Sequence, residues 1–258
     1  MRLIKVSLQP ASDCIEVVAG GDLHIGHPCY MKREAEAHKA YILADPDRYT
    51  VDLGDPVENC LKDSPGNGIF EQTISPRDQR LQAKAYYKDI ADEGRLLGIC
   101  ESNHPERSTK TADFSPTEYL AEVLRTEFIR YQAVFAITVG NSASGQTYLI
   151  HVRHFAGGAS TPEGVQRQLR LKSAKVQGAD IHLAAHCHMY TYGVEPVYQC
   201  DKRGRLKKIE KQYATCSSFI GYDESYAEGK DYSLPPFGMV SIKLYQNRHE
   251  AKLTRLVY

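Results

Sequence analysis

The sequence predicts an α/β chain arranged as a layered sandwich of two sheets. Three observations carry that expectation. Apolar runs of strand length alternate with helix-length segments through the first half, the second half shifts to strands and tight turns, and polar clusters recur where the strands run out.

The first strand is "CIEVVAGG", followed by a helical segment, "MKREAEAHKAYILAD" (31–45), and a second strand, "YTVDLGD" (49–55). A longer helix, "RDQRLQAKAYYKDIADEG" (77–94), leads to the strand "RLLGICESN" (95–103). Strands separated by helices imply a mostly parallel sheet covered on its faces. In "SPTEYLAEVLR" (115–125), Ser115 is the N-cap, Pro116 takes the first helical position and Glu118 completes a capping box. From 130 onward come "YQAVFAITVG", "QTYLIHVRH", a helix near 162–177, and "DIHLAAH". After 190 the chain is strand and turn: "GVEPVYQC", the tight "DKRGR", "KKIEKQYATCSSF" and a final "FGMVSIKLY". No linker or repeat splits the chain, so 1–258 is expected to form one domain with a strand-rich C-terminal part, 190–258. The longest irregular piece is the loop 56–76, and its place directly after a strand ending in Gly54-Asp55 marks it as an expected active-site loop.

Lys+Arg and Asp+Glu are both 32, for a formal net charge of zero, which argues against a nucleic-acid or membrane binder driven by bulk charge. A local basic patch is still allowed. Seven cysteines without a C-x-x-C pair suggest reduced thiols and a cytoplasmic home. The N-terminal "MRLIKVSLQP" is too poor in apolar residues for a signal peptide, and no stretch is apolar enough for a membrane span.

The strand ends carry the chemistry. "GGDLHIGHP" puts Asp22 and His24 directly after the first strand, and the pattern recurs at Asp55 in "DLGDPVEN" and at Asn103 and His104 in "GICESNHPER". It returns at His154 in "YLIHVRHFAGG" and at His186 and His188 in "IHLAAHCHMY". Loops at the carboxyl ends of parallel strands lie on one edge of a sheet, where α/β folds place their ligand sites. Asp22, His24, Asp55, Asn103, His154, His186 and His188 offer more donors than one ion needs. Two ions sharing a bridging carboxylate would use them all, the arrangement that clamps a phosphate ester. Mixed nitrogen and oxygen ligation suits manganese, iron, zinc or nickel better than magnesium or calcium. Cys187, between two of these histidines, is expected to point away.

The ordered series "GDLH", "GDPVEN", "SNHPE", "RHFAGG" and "AHCH" resembles the calcineurin-like metallophosphoesterase family, over about 16–190. The region 56–76 and the tail "TCSSFIGYDESYAEGKDY" further resemble a compact branch common in phages and prophages. The resemblance implies a four-layer αββα sandwich, two mixed sheets flanked by helices. It implies two divalent transition metal ions, manganese first, with Asp22, His24, Asp55 and His188 at one, Asn103, His154 and His186 completing the other, and Asp55 bridging. It implies a non-ligating His104 that protonates the leaving group, and attack by a metal-activated hydroxide.

Two glycines of the family signature are replaced here, by Ser102 and Ala185. The lone histidine is either His154, at the strand end, or His151, within the strand. His27, His38, His182 and His249 fit no slot and read as surface or satisfied core residues. Arg107 and Arg153 are candidates to clamp a phosphate oxygen, Arg107 first. "DKRGRLKK" (201–208) reads as a charged hairpin tip, or else a nucleic-acid contact, and Tyr222, Tyr226 and Tyr232 as loop packing rather than base stacking. The expected function is a metal-dependent phosphodiesterase acting on nucleotides or nucleic acid. The alternatives are a phosphomonoesterase and a non-catalytic scaffold that keeps the fold.

Overall fold

The computed structural model describes residues 1–64, 68–141, 144–155, 158–200, 203–229 and 234–258, with the backbone alone for Tyr226 and Ala227. Along the chain run β1 (Arg2–Leu8), β2 (Cys14–Gly20), α1 (Lys32–Leu43), β3 (Arg48–Asp52), the single turn α2 (Gly68–Glu71), α3 (Pro76–Asp92) and β4 (Leu96–Cys100). There follow α4 (Asn103–Ala112), α5 (Pro116–Val123), β5 (Glu127–Ile129), β6 (Gln132–Val139), β7 (Gln146–His154), α6 (Pro162–Ser173) and β8 (Ile181–Ala185). The last elements are β9 (Thr191–Cys200), β10 (Leu206–Thr215), the turn α7 (Tyr226–Gly229), β11 (Met239–Tyr245) and β12 (Ala251–Leu256).

The strands form two mixed six-stranded sheets, ordered β12-β11-β2-β3-β4-β5 and β1-β6-β7-β8-β10-β9. In the first, β2 to β5 are parallel, as the alternation of strands and helices predicts, while β11 and β12 run antiparallel along one edge. In the second, the parallel pairs β1–β6, β7–β8 and β8–β10 alternate with the antiparallel hairpins β6–β7 and β9–β10. The two halves of the chain do not each make a sheet. The first strand joins the second sheet, and the last two return to the first.

The inner faces of both sheets merge in one core, with Ile15, Val17 and Ile99 from the first sheet and Phe135, Tyr148, Ile150 and Leu183 from the second. Helices α1, α3 and α5 pack against the first sheet. Helix α6 packs against β8, β9 and β10 of the second, over a smaller cluster of Phe155, Val165, Leu169, Met189 and Tyr213. Three of the helix starts have a clear sequence reason. Ser75, Ser115 and Thr161 accept the N–H of the residue three further on, and Pro76, Pro116 and Pro162 follow them.

Six elements differ from the sequence reading, two of them the single turns α2 and α7. The edge strands β1 and β12 and the short β5 were not expected, and α4 starts where the reading had a strand end. "NHPERSTKTA" lacks an apolar stripe, but Pro105 falls in the first turn, where a missing N–H costs nothing. The strands before Asp55 and Asn103 also stop early, at Asp52 and Cys100, so both residues sit in the turns beyond. Part of the loop 56–76, residues 65–67, lies outside the described residues. No helix among the described residues is long and apolar enough to cross a membrane, and none of the seven cysteines is in a disulfide.

Candidate metal centre

The segment after β2 keeps a strand-like alternation while its backbone turns. Leu23 and Ile25 enter the core at 2% exposure, and Asp22 and His24 emerge together on the other side. It is zipped to the segment after β3: Asp22 N–H donates to Gly54 O at 2.7 Å, His24 N–H to Asp55 O at 3.0 Å, and Ile25 N–H to Pro56 O at 3.2 Å. Asp22, His24, Asp55, His186 and His188 all have positive φ, from 49° to 89°. Strained backbone of this kind gathers at functional sites, and Asp, Asn and His are the non-glycine types that tolerate it best. Gly54, at φ 112°, is forced: a Cβ there would lie 2.7 Å from His154 Nδ1.

The five loops converge. Ligand atoms of Asp22, His24 and His188 lie within 4.8 Å of one another, as do those of Asp55, His154 and His186. His24 Nε2 is 3.2 Å from His188 Nε2, and His154 Nε2 is 3.2 Å from His186 Nδ1 and 3.0 Å from Asn103 Oδ1. His24 donates from Nδ1 to Glu58 Oε2 at 2.9 Å, and His154 from Nδ1 to Leu53 O at 2.9 Å. When neutral, both rings therefore turn an Nε2 lone pair inward, the orientation a metal-binding imidazole needs.

The two aspartates share one design. Asp22 Oδ2 accepts the His186 N–H at 2.7 Å, and Asp55 Oδ1 accepts the His104 N–H at 3.1 Å. Their other oxygens, Asp22 Oδ1 and Asp55 Oδ2, are buried without a hydrogen-bond partner. Asp22 Oδ1 is 3.7 Å from both His24 Nε2 and His188 Nε2. Asp55 Oδ2 lies between the two groups, 3.3 Å from His154 Nε2 and 3.8 Å from His24 Nε2. A buried, unpartnered carboxylate oxygen facing imidazole nitrogens is costly on its own and well suited to a cation. The residues present could hold a metal ion, and Asp55 Oδ2 faces imidazoles of both groups.

The electrostatics agree. Burial alone would raise the Asp22 carboxyl, but His24, His188 and His154 hold it below the ordinary range, and His104, His154 and His24 hold Asp55 well below it. Burial alone would strip the proton from His24, yet the carboxylates of Asp22, Glu58 and Asp55 push it up to about 10. His154 is likewise pushed up to about 9, against burial, chiefly by Asp55. His188 is pulled down to about 4 by burial, and His186 is lowered for the same reason. Without a cation, the cluster neutralises its aspartates by keeping protons on two of its rings.

Beside it lies a second network that the sequence reading left out. Glu58, three residues past Asp55, is buried and meets two rings, His24 Nδ1 at 2.9 Å and His104 Nδ1 at 3.3 Å. Burial would raise its carboxyl, but those two rings hold it far below the usual range. His104 donates from Nδ1 to Glu58 O at 2.7 Å, and its Nε2 accepts from Arg107 Nη2 at 3.2 Å. Asn59 Nδ2 donates to His104 O at 2.8 Å and to Ser108 Oγ at 3.0 Å, which ties α4 to the loop. The only sequence signal for Glu58 was its place in "GDPVEN", a buried-loop acid with no periodicity to mark it.

Every residue of the candidate ligand set falls in this cluster, and His104 and Arg107 border it. His151 does not: it lies on the opposite face of β7, 3.0 Å from His182 Nδ1 and 3.1 Å from Gln132 Oε1. His38 is a buried partner of the Tyr258 hydroxyl at 2.9 Å, His182 stacks on Tyr213, and His249 stacks on Tyr148. His27 accepts the Cys29 N–H at 3.0 Å. Cys187 packs away from the ligands, against the cluster under α6. Gly204, at φ 73°, turns the β9–β10 hairpin tip. Ala156 and Gly157 of "FAGG", Asp201, Lys202, Tyr232 and the Tyr226 side chain lie outside the described residues.

No family model matches the chain, and no curated protein matches it. Among solved structures, the solution NMR structure of the Thermotoga maritima protein TM1076 is similar at 12% identity and a TM-score of 0.37, over 94% of this chain and 99% of that one.

Proposed function

We propose that this chain is a metal-dependent phosphoester hydrolase of the calcineurin-like metallophosphoesterase type, with the four-layer αββα sandwich of that family, acting as a phosphodiesterase on nucleotides or nucleic acid. The reading rests on one observation above the others: the two buried, unpartnered oxygens of Asp22 and Asp55, set among four imidazoles and Asn103 with Asp55 Oδ2 shared between the groups. Two divalent transition ions, manganese first, would be held there, and when bound they supply Lewis acidity at a phosphoryl oxygen and a nucleophile from water at neutral pH.

The chain's own residues do the rest. Glu58 fixes the His24 ring and, with its backbone carbonyl, the His104 ring. His104 is the proton donor to the leaving oxygen through Nε2. In the resting arrangement that nitrogen faces Arg107 Nη2 at 3.2 Å. Arg107 must first turn to a phosphoryl oxygen, which it can grip through two N–H groups, and Nε2 is then free to carry the proton.

The test is the initial rate on an aryl phosphodiester and its monoester analogue, using metal-stripped protein with Mn²⁺ restored. Diester hydrolysis that is lost in Asp55→Asn together with bound metal supports the reading, and His104→Ala should keep the metals while the rate falls by about 10²-fold or more. Preference for the monoester would replace the diesterase by a monoesterase. Two-metal loading without turnover of either ester, or no metal at all, would sink the hydrolase reading in favour of a scaffold.

A further inference from the structure

A cleft of about 500 Å³ opens against the candidate centre on the side of Asn103, His154 and His186, a size suited to a nucleotide-sized group. Its far wall carries Arg130, Tyr131 and Arg153, brought together because Gln132 at the start of β6 pairs with Arg153 at the end of β7. Neither arginine has a carboxylate partner among the described residues, and Arg153 Nε is buried without an acceptor. The Arg153 guanidinium stands 5.6 Å from the Phe155 ring and Arg130 5.5 Å from the Tyr131 ring, whose residue is 68% exposed. The acids of the near wall are engaged elsewhere: Glu101 accepts from Ser102 N at 3.0 Å and from the Ser115 hydroxyl, and Glu106 pairs with Lys110 at 3.0 Å. The cleft thus carries two arginines together on its far wall, in a chain of zero net charge.

We propose that this cleft is a subsite for the next nucleotide of a single strand of nucleic acid, with Arg130 and Arg153 on the phosphate beside the scissile one and Tyr131 stacked on its base. The inference rests on the phosphodiesterase reading, which fixes where the scissile phosphate lies. Two guanidiniums without acidic partners match a phosphate's planar, bidentate recognition, and an exposed ring next to them is how strands are held without sequence preference. A small aryl diester has nothing to place there.

The experiment compares wild type, Arg130→Gln/Arg153→Gln, Arg130→Gln alone and Tyr131→Ala. It reads binding of a fluorescein-labelled octathymidylate by anisotropy across a salt series, with Mn²⁺ and with chelator, alongside Mn²⁺-dependent hydrolysis of the octamer and of the aryl diester. The expected result is octamer affinity and turnover reduced about tenfold or more in the double variant, a salt slope shallower by about 0.7 for each phosphate no longer neutralised, and an aryl diester rate unchanged in Arg130→Gln and Tyr131→Ala. Arg130→Gln and Tyr131→Ala, at exposed positions, should each give part of the loss, so a folding defect from Arg153→Gln cannot imitate it. Equal behaviour of all variants on the octamer, or parallel losses on both substrates, would overturn the subsite. A wild type that cleaves the aryl diester but neither binds nor cleaves the octamer would also overturn it while leaving the hydrolase intact. With no turnover of anything, the hydrolase reading fails, and the anisotropy difference between wild type and variants alone decides the cleft.

Discussion

The Ser102 hydroxyl accepts the backbone N–H of Asp55 at 2.7 Å, and both residues are buried. Ser102 stands where the family signature it resembles has glycine, but its backbone is extended (φ −152°), so nothing at this position requires glycine. The hydroxyl serves the strained, left-handed Asp55 directly. Ser102→Ala should leave that N–H buried and unpaired, at about 1–3 kcal/mol, and release the carboxylate between the two groups. Thermal unfolding and Mn²⁺ titration check it; an unchanged Tm with unchanged affinity would remove the serine's role.

Glu58→Gln keeps the size of the side chain and removes the charge that meets His24 and His104. Partners that orient ligands in this way are worth about 10- to 100-fold in metal affinity or activity. Calorimetric Mn²⁺ binding to the variant should weaken by that order, and wild-type affinity would show that the ring positions do not depend on the carboxylate.

Cation binding should release protons, because the metal-free chain keeps them on His24 up to about pH 10 and on His154 up to about pH 9. Apparent affinity should therefore climb with pH through the neutral range and level off above about 10. Raised histidine values also stabilise the metal-free fold fully below their ordinary 6.5, a contribution lost as pH rises through about 9 to 10. Titration in buffers of differing ionisation enthalpy measures the release. A value of zero at pH 7.5 would show that both rings are already neutral.

Asp52 lies beneath the centre, with its carboxylate taking the Tyr87 hydroxyl and, at 2.8 Å, the Gly54 N–H. Burial outweighs both bonds and pushes it up to about 7 from 3.8. A raised folded value means stability is lost as pH climbs from about 4 through about 7, where the folded chain gives up a proton the unfolded chain has already released. Asp52→Asn, neutral throughout, should be the more stable protein at pH 8, with the advantage shrinking towards pH 4. Urea unfolding at the two ends would show it, and a parallel pH dependence in both proteins would refute it.

The positions that gather in the cluster were legible because two constraints coincide in the sequence: apolar strand runs mark where the chain leaves the sheet, and few residue types can bind a cation there. His154 was preferred to His151 for its place at the strand end, and the structure adds that Tyr148, Ile150 and Val152 face the shared core while His151 faces outward. Glu58 was not legible, because its role depends on a loop folding back beneath two rings. Helix α4 hid behind a serine, two threonines and a proline with no apolar period to mark it. The exchange of end strands between the sheets was invisible for a different reason: pairings such as β1 with β6 and β2 with β11 join segments distant in sequence, and no local pattern encodes them.

The origins of the clustered side chains have a mechanical meaning. Asp22 and His24 follow β2 and Asp55 follows β3, all in one sheet, whereas His154 ends β7 and His186 and His188 follow β8 in the other. Each three-residue group therefore straddles the junction between the sheets. A cation gripped by either group would be a rivet through both layers, binding the docked arrangement and not the separated sheets, so its occupancy would work as a clamp on the whole molecule.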